Sequence, residues 1–351
     1  VAYNILILGA SYGSLLGTKF VAAGHNATLV CRAETAALIN SEGTEVRIKL
    51  RDEDAHRSFF SKSLAGRLDA STPEDARPEN YDLVCLAMQE PQYSHPALTD
   101  LLARIARAGI PCMSIMNMPP LPYLKRIPGL DSSRLKEAFL NPEIWDAFDP
   151  RLMTLCSPDP QAFRPPEEMA NVLHVGLPTN FKVSKFDDPK LNAVLETLEA
   201  DIEAYRVDDK DVPVKLRVFD SLFVPFAKWA MLATGNYRCI TTDGPRSIRD
   251  AVHGDPAKSQ EIYAFVNGLV EKLGADPGDL VPFEKYAAAA KNLVKPSSAA
   301  RSVYSGAVYI ERVDRLILLI AEALGTSHPA VSETVAIVDH KLSSNALAGA
   351  R

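Results

Sequence analysis

Asn4-Ile5-Leu6-Ile7-Leu8-Gly9-Ala10-Ser11-Tyr12-Gly13-Ser14-Leu15-Leu16 reads as a short buried strand, a turn of small residues and the first turns of a helix. Gly24-His25-Asn26 interrupts that helix, and Ala27-Thr28-Leu29-Val30-Cys31 follows as a second apolar strand. In such a strand–turn–helix–strand unit, a glycine turn lets the backbone approach a pyrophosphate, whose charge then lies on the helix N-terminus. The strict spacing G-x-G-x-x-G is not met. Gly9-Ala10-Ser11-Tyr12-Gly13 is one residue short, or carries Ser11 where the second glycine falls, and Gly17 comes later. Gly9, Ala10, Ser11, Tyr12 and Gly13 are therefore candidate cofactor contacts. The alternative is an ordinary βαβ unit with a tight turn and no ligand.

Two other patterns share these residues. Gly9-Ala10-Ser11-Tyr12-Gly13 fits the nucleophile elbow G-x-S-x-G, but that serine stands on a sheet several strands into its fold, and none precedes Ser11. The glycine turn of short-chain dehydrogenases requires a later Tyr-x-x-x-Lys, and no tyrosine here has lysine four residues on. The residue that ends the second strand narrows the cofactor. An acidic side chain there binds the ribose 2′-hydroxyl of NAD, whereas arginine accommodates the 2′-phosphate of NADP. Arg32 is the first polar side chain after Val30-Cys31 and favours NADP(H); Glu34, two residues on, keeps NAD(H) open.

With 351 residues the chain is long enough for two cores. A net charge of −6 argues against a nucleic-acid groove, and no apolar run approaches the roughly twenty residues of a membrane span. The first strand begins at once, which predicts no signal peptide. Cys31, Cys85, Cys112, Cys156 and Cys239 are odd in number and lack C-x-x-C spacing, pointing to a reduced, cytoplasmic protein. His25, His56, His95, His174, His253, His328 and His340 form no i, i+3 or i+4 pair, so no metal site is expected.

The same alternation continues downstream. Tyr81 to Met88 reads as a buried strand, Leu98 to Ala108 as an amphipathic helix and Ile110 to Met116 as another strand, ending at Asn117. In an open parallel sheet, ligands collect outside the carboxyl ends of the strands. Gly9, Arg32, Gln89 and Asn117 all fall at such ends. Pro119 to Pro166 reads as an irregular insertion, too rich in large apolar residues for a disordered linker. Val172–Leu177 and Phe181–Val183 read as late strands, and Asp188-Pro189 starts a helix. These divisions predict a Rossmann-type parallel-sheet domain over 1–207, with its insertion at 119–166, and an all-helical substrate and dimerisation domain over 208–351. The helices expected in the latter are Pro213–Leu232, Gln260–Leu273 and Val308–Leu324. A cleft between the two is where a small substrate is expected.

Within the first of those helices, Lys228 lies among apolar residues, where desolvation would lower its pKa and make it a proton donor near neutrality. Asn236 falls about a quarter-turn away around an ideal helix, two turns on. The alternative is a lysine snorkelling from a core helix to solvent.

These stretches resemble the ketopantoate reductase (2-dehydropantoate 2-reductase) family over most of the chain. The opening Ile7-Leu8-Gly9-Ala10, Gly13-Ser14-Leu15-Leu16, Ala23-Gly24-His25 and Leu29-Val30-Cys31-Arg32 follows that family's with one deletion. Gln89 stands for a cofactor-contacting lysine, and Asn117 matches the Asn of an Asn-Gly motif whose glycine is Met118 here. Lys228 falls on the catalytic lysine, and Asn236 on the second of two asparagines, the first being Leu232. Ser297-Ser298 resembles the start of the late substrate motif, and Glu311 with Asp314 its Glu-x-Asp. The resemblance implies a 6-phosphogluconate-dehydrogenase-like C-terminal helical bundle, a homodimer and hydride delivery from NADPH to a 2-oxo acid. By the same resemblance Lys228 and Glu311 are catalytic, and Asn117, Asn236 and Ser298 hold the small carboxylate substrate. Leu232, Met118 and the long 119–166 segment depart from the pattern and argue against ketopantoate itself. Glu311 also reads as a solvent-facing pair with Arg315, four residues on.

Leu177–Lys182, Pro296–Arg301 and Ile310–Arg315 are similar also to opine-type dehydrogenases, which reduce an imine formed from an amine and a 2-oxo acid. A non-catalytic NADP-binding sensor on the same scaffold is the third reading.

Overall fold

The computed structural model describes residues 1–349. Strand β1 is Asn4–Leu8 and β2 is Asn26–Val30, with helix α1, Tyr12–Ala22, between them. Ile5, Leu6, Ile7 and Leu8 are all fully buried. Successive strand side chains point to opposite faces, so this sheet is covered on both sides, and its strands read as unbroken apolar runs for that reason. β1 pairs in parallel with β2 on one side and with Leu83–Leu86 on the other. From one edge the sheet runs Leu68–Ser71, β2, β1, Leu83–Leu86, Cys112–Ile115, Met153–Ser157, Phe181–Ser184 and Leu216–Phe219. Only Met153–Ser157 with Phe181–Ser184 is antiparallel. The first six strands take the Rossmann order 3-2-1-4-5-6, and the order reverses at β1, the switch point where such folds bind their ligands.

Several expectations give way to this topology. Met153–Ser157 lies inside the segment read as an irregular insertion, yet it is a fully buried strand of the main sheet. Val172–Leu177 is a late strand of the same unit, as expected, and lies in a second, four-stranded sheet with His56–Phe60, Glu45–Lys49 and Gln161–Phe163. The expected helix Pro213–Leu232 does not exist as one element. Val214 sits at φ 66°, a left-handed conformation that breaks a helix, and Leu216–Phe219 pairs in parallel with Phe181–Ser184. That strand carries the sheet beyond position 207 and places strand structure in the region expected to be all-helical. The Asp188-Pro189 start stands: Asp188 caps the helix Pro189–Ala204 by accepting from the Lys190 N–H at 2.9 Å, and proline fits the first turn.

The chain forms two compact units. One comprises 1–88, 92–123 and 144–222; the other comprises 89–91, 124–143 and 223–351. The second unit is built from helices, including Pro256–Lys272, Val313–Ala323 and Pro329–Gly349. Val313, Leu316, Ile317 and Ile320 form a fully buried stripe at helical spacing. Among the described residues no helix is long and apolar enough to cross a membrane.

Candidate functional site

In the first unit, the C-terminal end of β1 runs into the glycine turn. Gly9 has φ 110°, and a Cβ there would lie 2.8 Å from the Ala87 carbonyl oxygen, so both conformation and space demand glycine. A Cβ on Gly13 would lie 2.6 Å from Ile7 Cγ2. Gly13 thus lets α1 press against β1, the packing role of the third glycine in the longer motif. Gly17 extends that contact, its absent Cβ falling 3.3 Å from Ile7 Cδ1. Ala10 is buried, and its carbonyl accepts from the Ser14 hydroxyl. Ser11 is exposed at the head of α1 and makes no capping bond.

Tyr12, the first residue of α1, is half-buried beside the turn. Its ring meets Phe181 edge-on at 5.7 Å between centroids, and its hydroxyl donates to the Pro160 carbonyl. Burial, with Cys156 and Asp159 nearby, pushes its pKa far up, so it remains a neutral phenol. Beyond β2, Cys31 is half-buried and Arg32 exposed. Burial pushes the Cys31 thiol up to about 11, against the opposing pull of Arg164 and Arg32. Gln89 is exposed just beyond Leu83–Leu86 and clusters with the second unit. Asn117 is half-buried two residues past Cys112–Ile115, whereas Met118, at the resemblance's glycine position, is fully buried.

In the second unit Lys228 is the first residue of a single α-turn, Lys228–Met231, preceded by the 3-10 turn Val224–Ala227. It is half-buried, not enclosed in the core. Leu232–Asn236 then winds as a π-helix, a feature that recurs at functional sites. The wider turn changes the phase between Lys228 and Asn236, so the ideal-helix offset does not apply. Side chains hold carbonyls in this turn and just before it: Arg238 donates to Thr234 at 3.2 Å, Ser297 to Asn236 at 2.7 Å and Tyr286 to the preceding Met231 at 3.1 Å.

In the late motif the two adjacent serines lie in different surroundings. Ser297 is the buried serine on the Asn236 carbonyl and caps the helix Ser298–Tyr304, while Ser298 itself is exposed. Glu311 is 7% exposed and precedes the helix Val313–Ala323. The expected surface pair with Arg315 is not formed: Arg315 bonds instead to Asp339 and approaches Glu137 at 3.8 Å. Tyr237 fixes the Glu311 backbone, donating to its carbonyl and accepting from the Val313 N–H at 3.0 Å.

Sequence reasoning missed Glu90, 1% exposed, whose carboxylate accepts from the Leu140 N–H at 3.0 Å. Burial chiefly, then the neighbouring Glu311 charge, push its pKa up to about 7 against the pull of the Leu140 and Asn141 N–H groups. Its position after Gln89 on a proline-containing turn gave no such signal. Ser297 was within reach, since a serine three residues before a buried alanine fits an N-cap.

No family model matches the sequence, and none of the curated proteins does. Solved structures do match. A Ralstonia solanacearum MolK2 protein assigned as a ketopantoate reductase aligns with a TM-score of 0.68 at 16% identity, over 99% of each chain. The 2-dehydropantoate 2-reductase of Methylococcus capsulatus aligns at 0.64 and 15% identity over 97% of each chain. A dimeric ketopantoate reductase from Staphylococcus aureus gives 0.60 at 9% identity, over 97% of this chain and 99% of its own. At these identities the likeness is one of architecture: the chain adopts the fold of the ketopantoate reductases.

Proposed function

We propose that the chain is an NADPH-dependent oxidoreductase that reduces the carbonyl of a 2-oxo acid and acts as a homodimer in the cytoplasm. The observation that carries this reading is the glycine turn at the sheet's switch point, with Gly9 in a conformation only glycine adopts readily and an arginine at the end of β2. The residues present fit a phosphate-bearing dinucleotide. Ser11 leaves the head of α1 exposed, and Arg32 has no salt bridge among the described residues. The nicotinamide, when bound, supplies the hydride. Gly9, Ala10, Ser11, Tyr12 and Gly13 carry the pyrophosphate, and Arg32 the 2′-phosphate, with Gln89 and Asn117 as further cofactor contacts.

Lys228 is the proton donor. As the carbonyl carbon accepts hydride, the C=O π pair moves to oxygen, which takes a proton from Lys228; the lysine regains one from solvent. General acid catalysis of this kind contributes about two to four orders of magnitude. Ser298 and Asn236 bind the substrate, with Asn117, and Glu311 is the second catalytic side chain. The π-helical turn beside Lys228 supports the assignment. The dimeric Staphylococcus aureus reductase supports the homodimer, which sedimentation equilibrium tests.

NADPH oxidation across a panel of 2-oxo acids, with and without amines, tests the reaction. Turnover of an oxo acid alone is expected, with ketopantoate a poor substrate. Turnover only with an amine present identifies an opine-type dehydrogenase. Tight NADPH binding without any turnover identifies a sensor. Lys228→Ala is expected to lower turnover at least a hundredfold with NADPH affinity unchanged; near-normal turnover would make the lysine structural.

A further inference from the structure

The end of β2 carries a second guanidinium that the sequence did not connect with it. Arg164 directly follows Gln161–Phe163, the edge strand of the four-stranded sheet, and is half-buried. Its charged neighbour is Arg32, and both arginines act on the Cys31 thiol. Among the described residues neither Arg32 nor Arg164 has a salt bridge or a side-chain hydrogen bond. Burial and the Arg32 charge both disfavour the Arg164 cation.

Two like charges gathered at one strand end, one of them half desolvated and neither neutralised, are costly unless an anion completes the cluster. The same segment is anchored at the other end of the nucleotide turn. The Tyr12 hydroxyl, on the first residue of α1, donates to the Pro160 carbonyl, and four residues later the chain delivers Arg164 beside Arg32. Pro160 to Arg164 thus runs from the helix N-terminus that takes a pyrophosphate to the strand end that takes the ribose.

We propose that Arg164 is a second phosphate-binding arginine, which pairs with Arg32 on the 2′-phosphate of bound NADP(H) and makes the segment 160–164 a cover over the adenosine half of the cofactor. This rests on the NADP(H) reading above. Arginine suits the task because its planar fork binds phosphate oxygens bidentately. The two guanidiniums come from different sheets, so the 2′-phosphate also staples the four-stranded sheet to the end of β2.

The test uses 2′,5′-ADP and 5′-AMP as probes, which differ only in the 2′-phosphate, and calorimetric titration of the full-length protein. Wild type is expected to prefer 2′,5′-ADP. Arg164→Met, which keeps the apolar stem, is expected to weaken 2′,5′-ADP binding ten- to a hundredfold and to leave 5′-AMP unchanged. The same variant is expected to melt no lower than wild type without ligand, because an uncompensated half-buried charge has been removed. Arg164→Lys should recover part of the affinity. Wild-type preference for 2′,5′-ADP that survives Arg164→Met overturns the role of Arg164 alone. Equal loss of both probes assigns Arg164 to general packing and also overturns the proposal. Failure of wild type to bind either probe or NADPH overturns the cofactor reading and this inference with it.

Discussion

Gly13 has no room for a side chain, since a Cβ would lie 2.6 Å from a methyl of Ile7 in the fully buried strand beneath it. Gly13→Ala must lift α1 from the sheet, and overpacking of this kind costs about 1–3 kcal/mol. Urea unfolding measures it; a loss below a few tenths would show that the helix shifts freely. Glu90 offers a prediction in pH. Its folded pKa, about 7, lies above the unfolded carboxyl value of about 4.3. Its favourable contribution is therefore complete below the unfolded value and lost as pH rises towards 7, where the ionised group weighs on the fold by on the order of 3 kcal/mol. Glu90→Gln keeps an acceptor for the Leu140 N–H without the charge. The variant should gain on wild type between pH 5 and pH 8 in denaturant unfolding; a gap that stays constant with pH would refute the burial argument.

At the scale of elements, the π-helical turn Leu232–Asn236 is held from outside. Arg238 and Ser297 each supply a donor to a backbone carbonyl of that stretch, and Tyr286 to the carbonyl of Met231 just before it. Ser297 also caps the helix Ser298–Tyr304, so one hydroxyl joins two elements. Ser297→Ala should cost about 1–2 kcal/mol through the lost cap. If the turn positions Asn236 for substrate, KM for the oxo acid should rise as well, while NADPH affinity stays constant. Ser298→Ala, at an exposed position, tests the substrate contact the resemblance implies. A KM effect from Ser297 and none from Ser298 would move the motif by one residue. The glycine turn is built differently: one residue shorter than the common pattern, it retains the first glycine at positive φ and the packing glycine, and Tyr12 braces it against Phe181 and Pro160.

Across the whole molecule, the cofactor reading predicts a ligand-dependent stability. A ligand at one hundred times its Kd stabilises the state that binds it by about 2.7 kcal/mol. NADPH should raise the melting temperature more than NADH at equal concentration, and Arg32→Ala should remove most of the difference. Equal shifts for both cofactors would sink the 2′-phosphate assignment. All five cysteines are free, and burial raises the pKa of each, so alkylation of the native protein should be slow at pH 7.

The opening unit β1–α1–β2 was legible in the sequence because every feature that makes it is local. Apolar runs form the doubly covered strands, Gly9 relieves one backbone angle, and Gly24 ends the helix region. The helix starting at Asp188-Pro189 was legible for the same reason, as a cap and a proline act within one turn. Leu216–Phe219 was not. Its apolar residues suit helix or strand, and the choice was made by hydrogen bonds to Phe181–Ser184 together with the left-handed Val214. The meeting of Arg164 with Arg32, and of Glu90 with Glu311, was beyond sequence reading too. Charge, burial and proximity between residues distant in the chain exist only once the sheets and helices have packed. The sequence by itself determined the strands, turns and caps whose causes are local; tertiary structure alone decided which distant side chains share one environment.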